Sequence, residues 1–302
     1  MQYNLITILG PTAVGKTFLG ASLADHFGGE IISADSRQVY RRMDIGTGKD
    51  LNDYTVNGTQ IQYHMIDVIE PKEEFNLFSF NNQFYKIFDD ITSRKKIPFL
   101  VGGTGLYLHS ILKAYDLNRV EFDADRYSEL DKYSPVELTE KLRELNPAQH
   151  NTTDLLIKER VIRAIMISEN AGNKNFMKRS EIKSLTLGVK LERDKIKKRI
   201  TAHLKQRLEN GMIEEVKKLV DEGITFERLE TFGLEYKFVA KYLSGELSRN
   251  DMFQKLNSAI HGFAKRQMTW FRKIEREGIT INWIEGPDYE SAERIISQNY
   301  FS

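Results

Sequence analysis

Cysteine is absent from all 302 residues. That excludes a disulfide-stapled fold, structural zinc built on thiolates and any cysteine nucleophile. Long apolar runs are missing as well, since no stretch approaches the roughly 20 residues that a membrane helix needs. Met1 to Thr7 carries no basic segment leading into a long apolar one, so a cytoplasmic protein is expected. Nor does either sign of charge dominate: Lys+Arg 44 against Asp+Glu 43 leaves +1, a balance that hides local asymmetry and leaves a nucleic-acid partner open. The chain is 40% hydrophobic, enough for one large or two modest domains with a real core. It shows no internal repeat and no low-complexity segment.

Leu5 to Leu9 is a short apolar run ended by Gly10, the pattern of a buried parallel strand. Thr17 to Phe27 reads as a helix stopped by Gly28-Gly29, and Ile31 to Ala34 as a second strand. Phe84 to Ile91 is helical, and Ile97 to Val101 is a strand closed by Gly102-Gly103. Strand, glycine turn and helix in alternation predict an α/β fold with a parallel sheet flanked by helices. Residues 116–182 lose the strand character and read as a helical insertion. Ser184 to Lys190 resumes the strands, Asp194 to Arg276 is nearly continuous amphipathic helix broken near Gly211, Gly223 and Gly233, and Ile279 to Ile284 is a last strand-like piece before a tail without signal. The expected division is a core of 1–115 and 183–302, the latter with the C-terminal helices, interrupted by the insertion 116–182.

Gly10-Pro11-Thr12-Ala13-Val14-Gly15-Lys16-Thr17 matches G-x-x-x-x-G-K-[ST] between a strand and a helix. Glycines let successive backbone N–H groups converge on a polyphosphate, and the helix N-terminus adds positive potential. Lys16 neutralises phosphate oxygens, and Thr17 can place its hydroxyl on Mg²⁺. Asp35-Ser36-Arg37-Gln38 begins where the second strand ends, on the sheet edge where ligands bind in such folds. Taken singly, Asp35 reads as a helix cap; beside a phosphate site it reads as a general base. The turn Gly102 to Tyr107 completes three polar or glycine-marked turns converging on one cleft. In the last long helix, Ile260, Phe263, Ala264, Phe271 and Ile274 fall on a core face, whereas Arg266, Thr269 and Lys273 share another face available to phosphates.

These segments resemble the tRNA dimethylallyltransferases (tRNA isopentenyltransferases). GPTAVGKT at 10–17, DSRQVY at 35–40, IGTGK at 45–49, HMID at 64–67 and GGTGLY at 102–107 stand in that family's order. ERVIRA at 159–164, NGMIEEV at 210–216, YLSG at 242–245 and KRQMTWFR at 265–272 resemble its later signatures. The resemblance implies a P-loop NTPase-like core with an inserted helical domain that binds tRNA. It implies transfer of a dimethylallyl group from dimethylallyl diphosphate to the N6 amine of the adenosine 3′ to the anticodon, assisted by Mg²⁺. Asp35 would be the base, Thr12 would donate to the bridging oxygen of the diphosphate, and Lys16 would stabilise the leaving group. Gly10, Pro11, Thr12, Ala13, Val14, Gly15, Lys16 and Thr17 would cradle the diphosphate. Asp35, Ser36, Arg37, Gln38 and Thr104 would meet the extruded adenosine. Arg126, Glu159, Arg160, Val161, Ile162 and Arg163 match positions that touch the tRNA, and the resemblance turns Arg266 and Lys273 toward its backbone.

The chain departs from the family pattern at three places. A single His64 stands where the family commonly has His-His and fits a structural role better than a catalytic one. Glu235-Tyr236-Lys237-Phe238 replaces Gly-Tyr-Lys-Glu, and His203 occupies a position often held by a diphosphate-contacting Arg, with Arg207 one turn later. A histidine there would aid diphosphate binding most when protonated. Three other functions share the P-loop and Asp35: prenylation of free AMP or ATP, a small-metabolite kinase, and an RNA-binding protein with a decayed P-loop. The inserted domain and the basic stretch 265–272 speak against the first, and intact Lys16, Thr17 and Asp35 against the last. A monomer is expected, since no coiled coil or large apolar stripe is evident.

Overall fold

The computed structural model describes residues 2–115, 123–145, 158–169 and 179–301, with Ala124 and Arg160 described by backbone alone. The run Leu-Ile-Thr-Ile-Leu forms β1 (Leu5–Leu9), every residue of it buried, as a strand covered on both faces requires. The chain continues through α1 (Lys16–Phe27) and β2 (Gly29–Ala34) to a hairpin of β3 (Thr55–Val56) and β4 (Thr59–Gln60). That hairpin turns on Asn57 and Gly58, both at positive φ, as a two-residue turn between twisted strands demands. Next come β5 (Tyr63–His64), α2 (Leu77–Ser93), β6 (Ile97–Gly102) and α3 (Gly105–Leu112). After the insertion follow β7 (Ser184–Lys190), α7 (Arg193–Glu209), α8 (Met212–Asp221), α9 (Phe226–Thr231), α10 (Leu234–Leu243), α11 (Arg249–Arg276), β8 (Ile281–Glu285) and α12 (Tyr289–Asn299).

Six strands pair in the order β5-β2-β6-β1-β7-β8, each contact parallel, with Ile6 opposite both Phe99 and Leu185. Alternate residues of each strand feed two cores. Ile6, Ile8, Phe99 and Leu187 pack under α1 and α12, while Leu5, Leu9, Ile32 and Leu100 pack against α2, α3 and the end of α11. A third cluster, including Leu204, Val216, Tyr236 and Leu256, joins α7, α8, α10 and α11 to Val39 and Tyr40 beyond β2. No described helix is long and apolar enough to cross a membrane.

Three details differ from the sequence reading. The helix over 84–91 starts at Leu77, where the Asn76 side chain accepts from Ser79 N. The tail holds α12, capped by Asp288 and anchored by buried Ala292 and Ile296; so sparse a stripe of buried residues leaves little periodicity to read. The long C-terminal helical stretch breaks at Gly211, Gly223 and Gly233 as expected, and again around Gly245, all four at positive φ.

The chain divides into two compact units: Met1–Tyr115 with Ser180–Ser302, and Asp116–Arg179. Ser180 belongs with the sheet, where its hydroxyl donates to Asp89 Oδ1 at 2.6 Å, and Lys183 O accepts from Asn4 N at 2.9 Å. The second unit packs α4 (Ala124–Leu130), α5 (Pro135–Leu145) and α6 (Lys158–Glu169) around Leu130, Leu138, Leu142, Ile165 and Met166.

Candidate active site

The loop after β1 is shaped by two left-handed residues, Ala13 at φ 65° and Gly15 at φ 87°. Gly15 caps α1 without any side chain. The first-turn amides of that helix are therefore left for a ligand. Lys16 Nζ donates to Pro11 O at 3.2 Å, bringing the ammonium back over its own loop. Burial and the neighbouring Arg37 push its pKa down to about 8, and the Asp35 carboxylate only partly offsets them.

A residue missed in the sequence pins this loop. The buried Gln267 side chain of α11 accepts from Thr12 N at 2.9 Å through Oε1 and donates to Gly103 O at 2.8 Å through Nε2. One side chain thus sews the phosphate loop to the turn after β6. A Cβ at Gly103 would lie 2.5 Å from Gln267 Nε2, so any side chain there would push this amide out of its bonds. The available signal was an uncharged polar residue, Gln267, between the apolar positions Ala264 and Phe271.

Asp35 follows β2 and closes a tight turn, its Oδ1 accepting from Arg37 N at 3.0 Å. Its Oδ2 has no partner among the described residues. Thr104 Oγ1 accepts from Ser36 N at 3.0 Å, joining the second and third turns. Arg37 lies over the Phe263 ring, 5.5 Å from its centroid, and Arg266 approaches the same ring at 6.0 Å. Phe263 was expected on the core face of α11; it is instead a half-buried platform beneath two guanidinium groups, an arrangement that favours the flat cation over the ring. Gln38 Nε2 reaches Gly48 O at 3.4 Å. Lys273 stands over Trp270, and Thr269 is exposed.

The three turns border a cleft of about 500 Å³ that is also lined by residues of the loop 44–54, with His203, Gln206 and Arg207 from α7 and Asn210 just beyond it. Glu215 holds this loop: its carboxylate accepts from Asp44, Ile45 and Gly46 N at 2.8, 2.7 and 3.0 Å and from Tyr236 Oη at 2.7 Å. Lys49, buried, donates to Tyr40 O and to the carboxylates of Asp44 and Asp67. His64 pairs with Glu30 at 2.9 Å, away from the cleft lining. The Arg94, His64 and Lys96 bonds hold the buried Glu30 carboxyl down to about 2.

Among the described residues, no cluster of three or more His, Cys, Asp or Glu could hold a metal. Thr17, Asp35, Asp50 and Asp53 nevertheless border the cleft. One hydroxyl with scattered carboxylates fits Mg²⁺, which retains water and substrate oxygens, better than an all-protein cage.

In the insertion, Val161 and Ile162 are fully buried in the α4–α6 core. Their side chains face inward because three short helices need them as core, which leaves the exposed residues of this stretch to meet a partner. Arg126 binds Glu129 and Glu169, with Nε to Glu169 Oε2 at 3.0 Å. Glu159 and Arg163 are exposed, and the Arg160 side chain lies outside the described residues.

The IPP transferase family model matches residues 38–274. The chain belongs to the IPP transferase family. This IPP transferase is 54% identical over 286 residues to "tRNA dimethylallyltransferase 1" of Geotalea uraniireducens, covering 95% of this chain and 94% of that one. It is 49% identical over 306 residues to "tRNA dimethylallyltransferase 2" of Pelobacter propionicus, covering 99% and 96%. It superposes on the tRNA isopentenylpyrophosphate transferase of Bacillus halodurans with TM-score 0.70 and 33% identity, over 99% and 95% of the two chains. A eukaryotic dimethylallyltransferase, 23% identical with TM-score 0.74 over 98% of this chain and 77% of its own, shares the fold.

Two of the departures bear on the cleft of this IPP transferase: His203 borders it, and Glu235 holds two arginines that do. Glu235, buried, accepts from Arg37 Nη1 at 2.9 Å and from Arg207 Nη1 at 3.2 Å. Burial, followed by the charges of Arg207 and Arg199, pushes the His203 pKa down, so this IPP transferase presents a neutral imidazole near pH 7. The α7 cation that borders the cleft is Arg207. Phe238 packs with the helical cluster.

Proposed function

We propose that this protein transfers the dimethylallyl group of dimethylallyl diphosphate to the N6 amine of the adenosine 3′-adjacent to the anticodon in tRNA, releasing diphosphate. The observation that carries this reading is a single cleft lined by both Lys16 and Asp35. Departure of diphosphate from an allylic carbon is easy once its charge is neutralised, which Lys16 and the uncapped first-turn amides of α1 can do. The acceptor amine is a poor nucleophile because its lone pair is delocalised into the purine. Asp35 Oδ2 takes the N6 proton as the N–C bond forms and the C–O bond breaks, so no unfavourable cation accumulates on the amine. Oδ1, engaged by the Arg37 amide, keeps the carboxylate turned for that transfer. Thr12 donates its hydroxyl to the bridging oxygen, positioned by the Gln267 bond to its backbone. The Thr17 hydroxyl would hold Mg²⁺, which would supply further neutralisation of the diphosphate.

An adenine in an anticodon loop reaches the base only when extruded; Arg37 and Gln38 border the cleft with polar groups, and Ser36 and Thr104, bonded to each other, would meet the base from the adjoining turns. The insertion supplies Arg126, Glu159, Arg160 and Arg163 to the stem, Arg126 exchanging its acidic partners for phosphate. Arg266 and Lys273 of α11 contribute backbone contacts. The enzyme acts as a monomer in the cytoplasm.

Incubation with labelled dimethylallyl diphosphate, Mg²⁺ and either tRNA or AMP tests the assignment. Label entering tRNA is the expected result. Label entering AMP would establish the free-nucleotide reaction instead, and label in neither would overturn prenyl transfer.

A further inference from the structure

A second cleft, of about 540 Å³, lies between the end of β7, α7 and α11. None of its lining residues borders the cleft that holds Lys16 and Asp35. Its cationic lining comprises Lys190, Arg193, Lys197, Lys265 and Arg272, with no carboxylate among the residues that line it. All five are exposed, and only Lys197 has an ion pair among the described residues, to the outer carboxylate of Asp194 at 3.4 Å. Glu192, the other acid flanking this stretch, is engaged by Lys195.

The rest of the lining is apolar: Leu191, Ile196, Ile200, Ala264 and Met268, with His261 beside them. His261 Nε2 is buried without a hydrogen-bond partner among the described residues. Buried polar atoms are nearly always paired, so an orphan in a cavity wall marks a place for a ligand atom. The size falls in the range of small-molecule sites. Lys190 has Glu285 beside it across the strands, but Arg193, Lys265 and Arg272 line the cleft without an ion pair among the described residues, and like charges there repel one another, a cost that a multivalent anion relieves.

We propose that this cleft binds a small amphipathic anion of charge two or more, its apolar body on Ile196, Ile200 and Met268, its phosphate or diphosphate head among Arg193, Lys265 and Arg272. The site is separate from the catalytic cleft and independent of the acceptor assigned there. Prenyl diphosphates and nucleotides both have this chemistry: one offers a hydrocarbon body, the other a purine face.

Titration calorimetry on the full chain carrying Lys16→Ala, which disables the catalytic phosphate loop, tests it with geranyl diphosphate, ADP and inorganic diphosphate as separate probes. The expected result is saturable 1:1 binding of geranyl diphosphate or ADP, at least tenfold tighter than inorganic diphosphate. Adding Arg193→Gln with Arg272→Gln, both at exposed positions, should weaken it at least tenfold. Whichever organic probe binds tighter identifies the body that the floor accepts. No binding of either organic probe, equal binding of inorganic diphosphate, or indifference to the double substitution would each overturn the proposal. A hairpin RNA that loses as much affinity as the small ligand in that double variant would assign the cleft to nucleic acid and overturn it too.

Discussion

Glu235 Oε2 receives Arg37 Nη1 at 2.9 Å across 198 residues of chain, tying the turn after β2 to the start of α10. The other oxygen of the same carboxylate holds Arg207, so one buried acid sets the position of two guanidinium groups that border the cleft with Asp35. Gly233 lies against this pair at φ 127°, where a Cβ would come within 2.9 Å of Arg37 Cδ.

Removing that buried acid deprives two half-buried cations of its carboxylate. Glu235→Ala should cost about 3 kcal/mol of stability, the usual penalty for breaking a buried ion pair on one side. Glu235→Gln, which retains an acceptor, should fold well but raise KM for dimethylallyl diphosphate about tenfold as Arg207 drifts. Thermal melts and steady-state kinetics check both; an unchanged KM in Glu235→Gln would detach Arg207 from substrate binding.

Asp35→Ala should lower kcat ~10²–10⁴-fold, the span usually attributed to a positioned general base. Binding of tRNA, measured by filter retention, should change little, because Oδ2 makes no structural bond. Near-normal turnover would take the base role away from Asp35.

Gln267 has no contact with the reacting atoms, yet it fixes the Thr12 amide and the Gly103 carbonyl together. Gln267→Leu leaves both unpaired at a cost of about 2 kcal/mol. Turnover should fall much further than substrate affinity, since the loop loses its alignment before it loses its charge. A loss confined to stability would mean that this bond serves folding alone.

The Lys16 ammonium loses its proton near pH 8 instead of 10.5 in the free protein. Below that pH it is charged and attracts diphosphate; as pH rises through about 8 the attraction disappears. kcat/KM for dimethylallyl diphosphate should therefore be flat between pH 6.5 and 7.5 and decline above about 8, since this ratio reports free-enzyme ionisations. Lys16→Arg, always charged, should be slower but lose this alkaline limb. The His203 imidazole, already neutral at pH 7, should add affinity only on the acid side of the ordinary histidine range.

Local pattern carried most of the scaffold. The apolar run of β1, the glycine punctuation around Gly10, Gly28 and Gly102 and the G-x-x-x-x-G-K-T spacing depend on residues within a few positions of one another, so they could be read directly. His64 as a structural partner could be read as well, although not that Glu30, Arg94 and Lys96 complete its setting. Phe263, read as core, lies under Arg37 and Arg266 instead, because an apolar residue on a helix can face a core or a cation with the same periodicity.

The linear order of residues determined the strands, the helices, the phosphate loop and the chemical kinds of groups available, because backbone propensity and side-chain period act over one or two turns. Only the tertiary structure decided that Gln267 touches Thr12 and Gly103, that Glu215 caps the amides of 44–46, and that Glu235 divides itself between Arg37 and Arg207. Those pairings join segments up to 255 residues apart. They are set by how α7, α10 and α11 fold back over the carboxyl edge of the sheet, a packing outcome that no short stretch of chain contains.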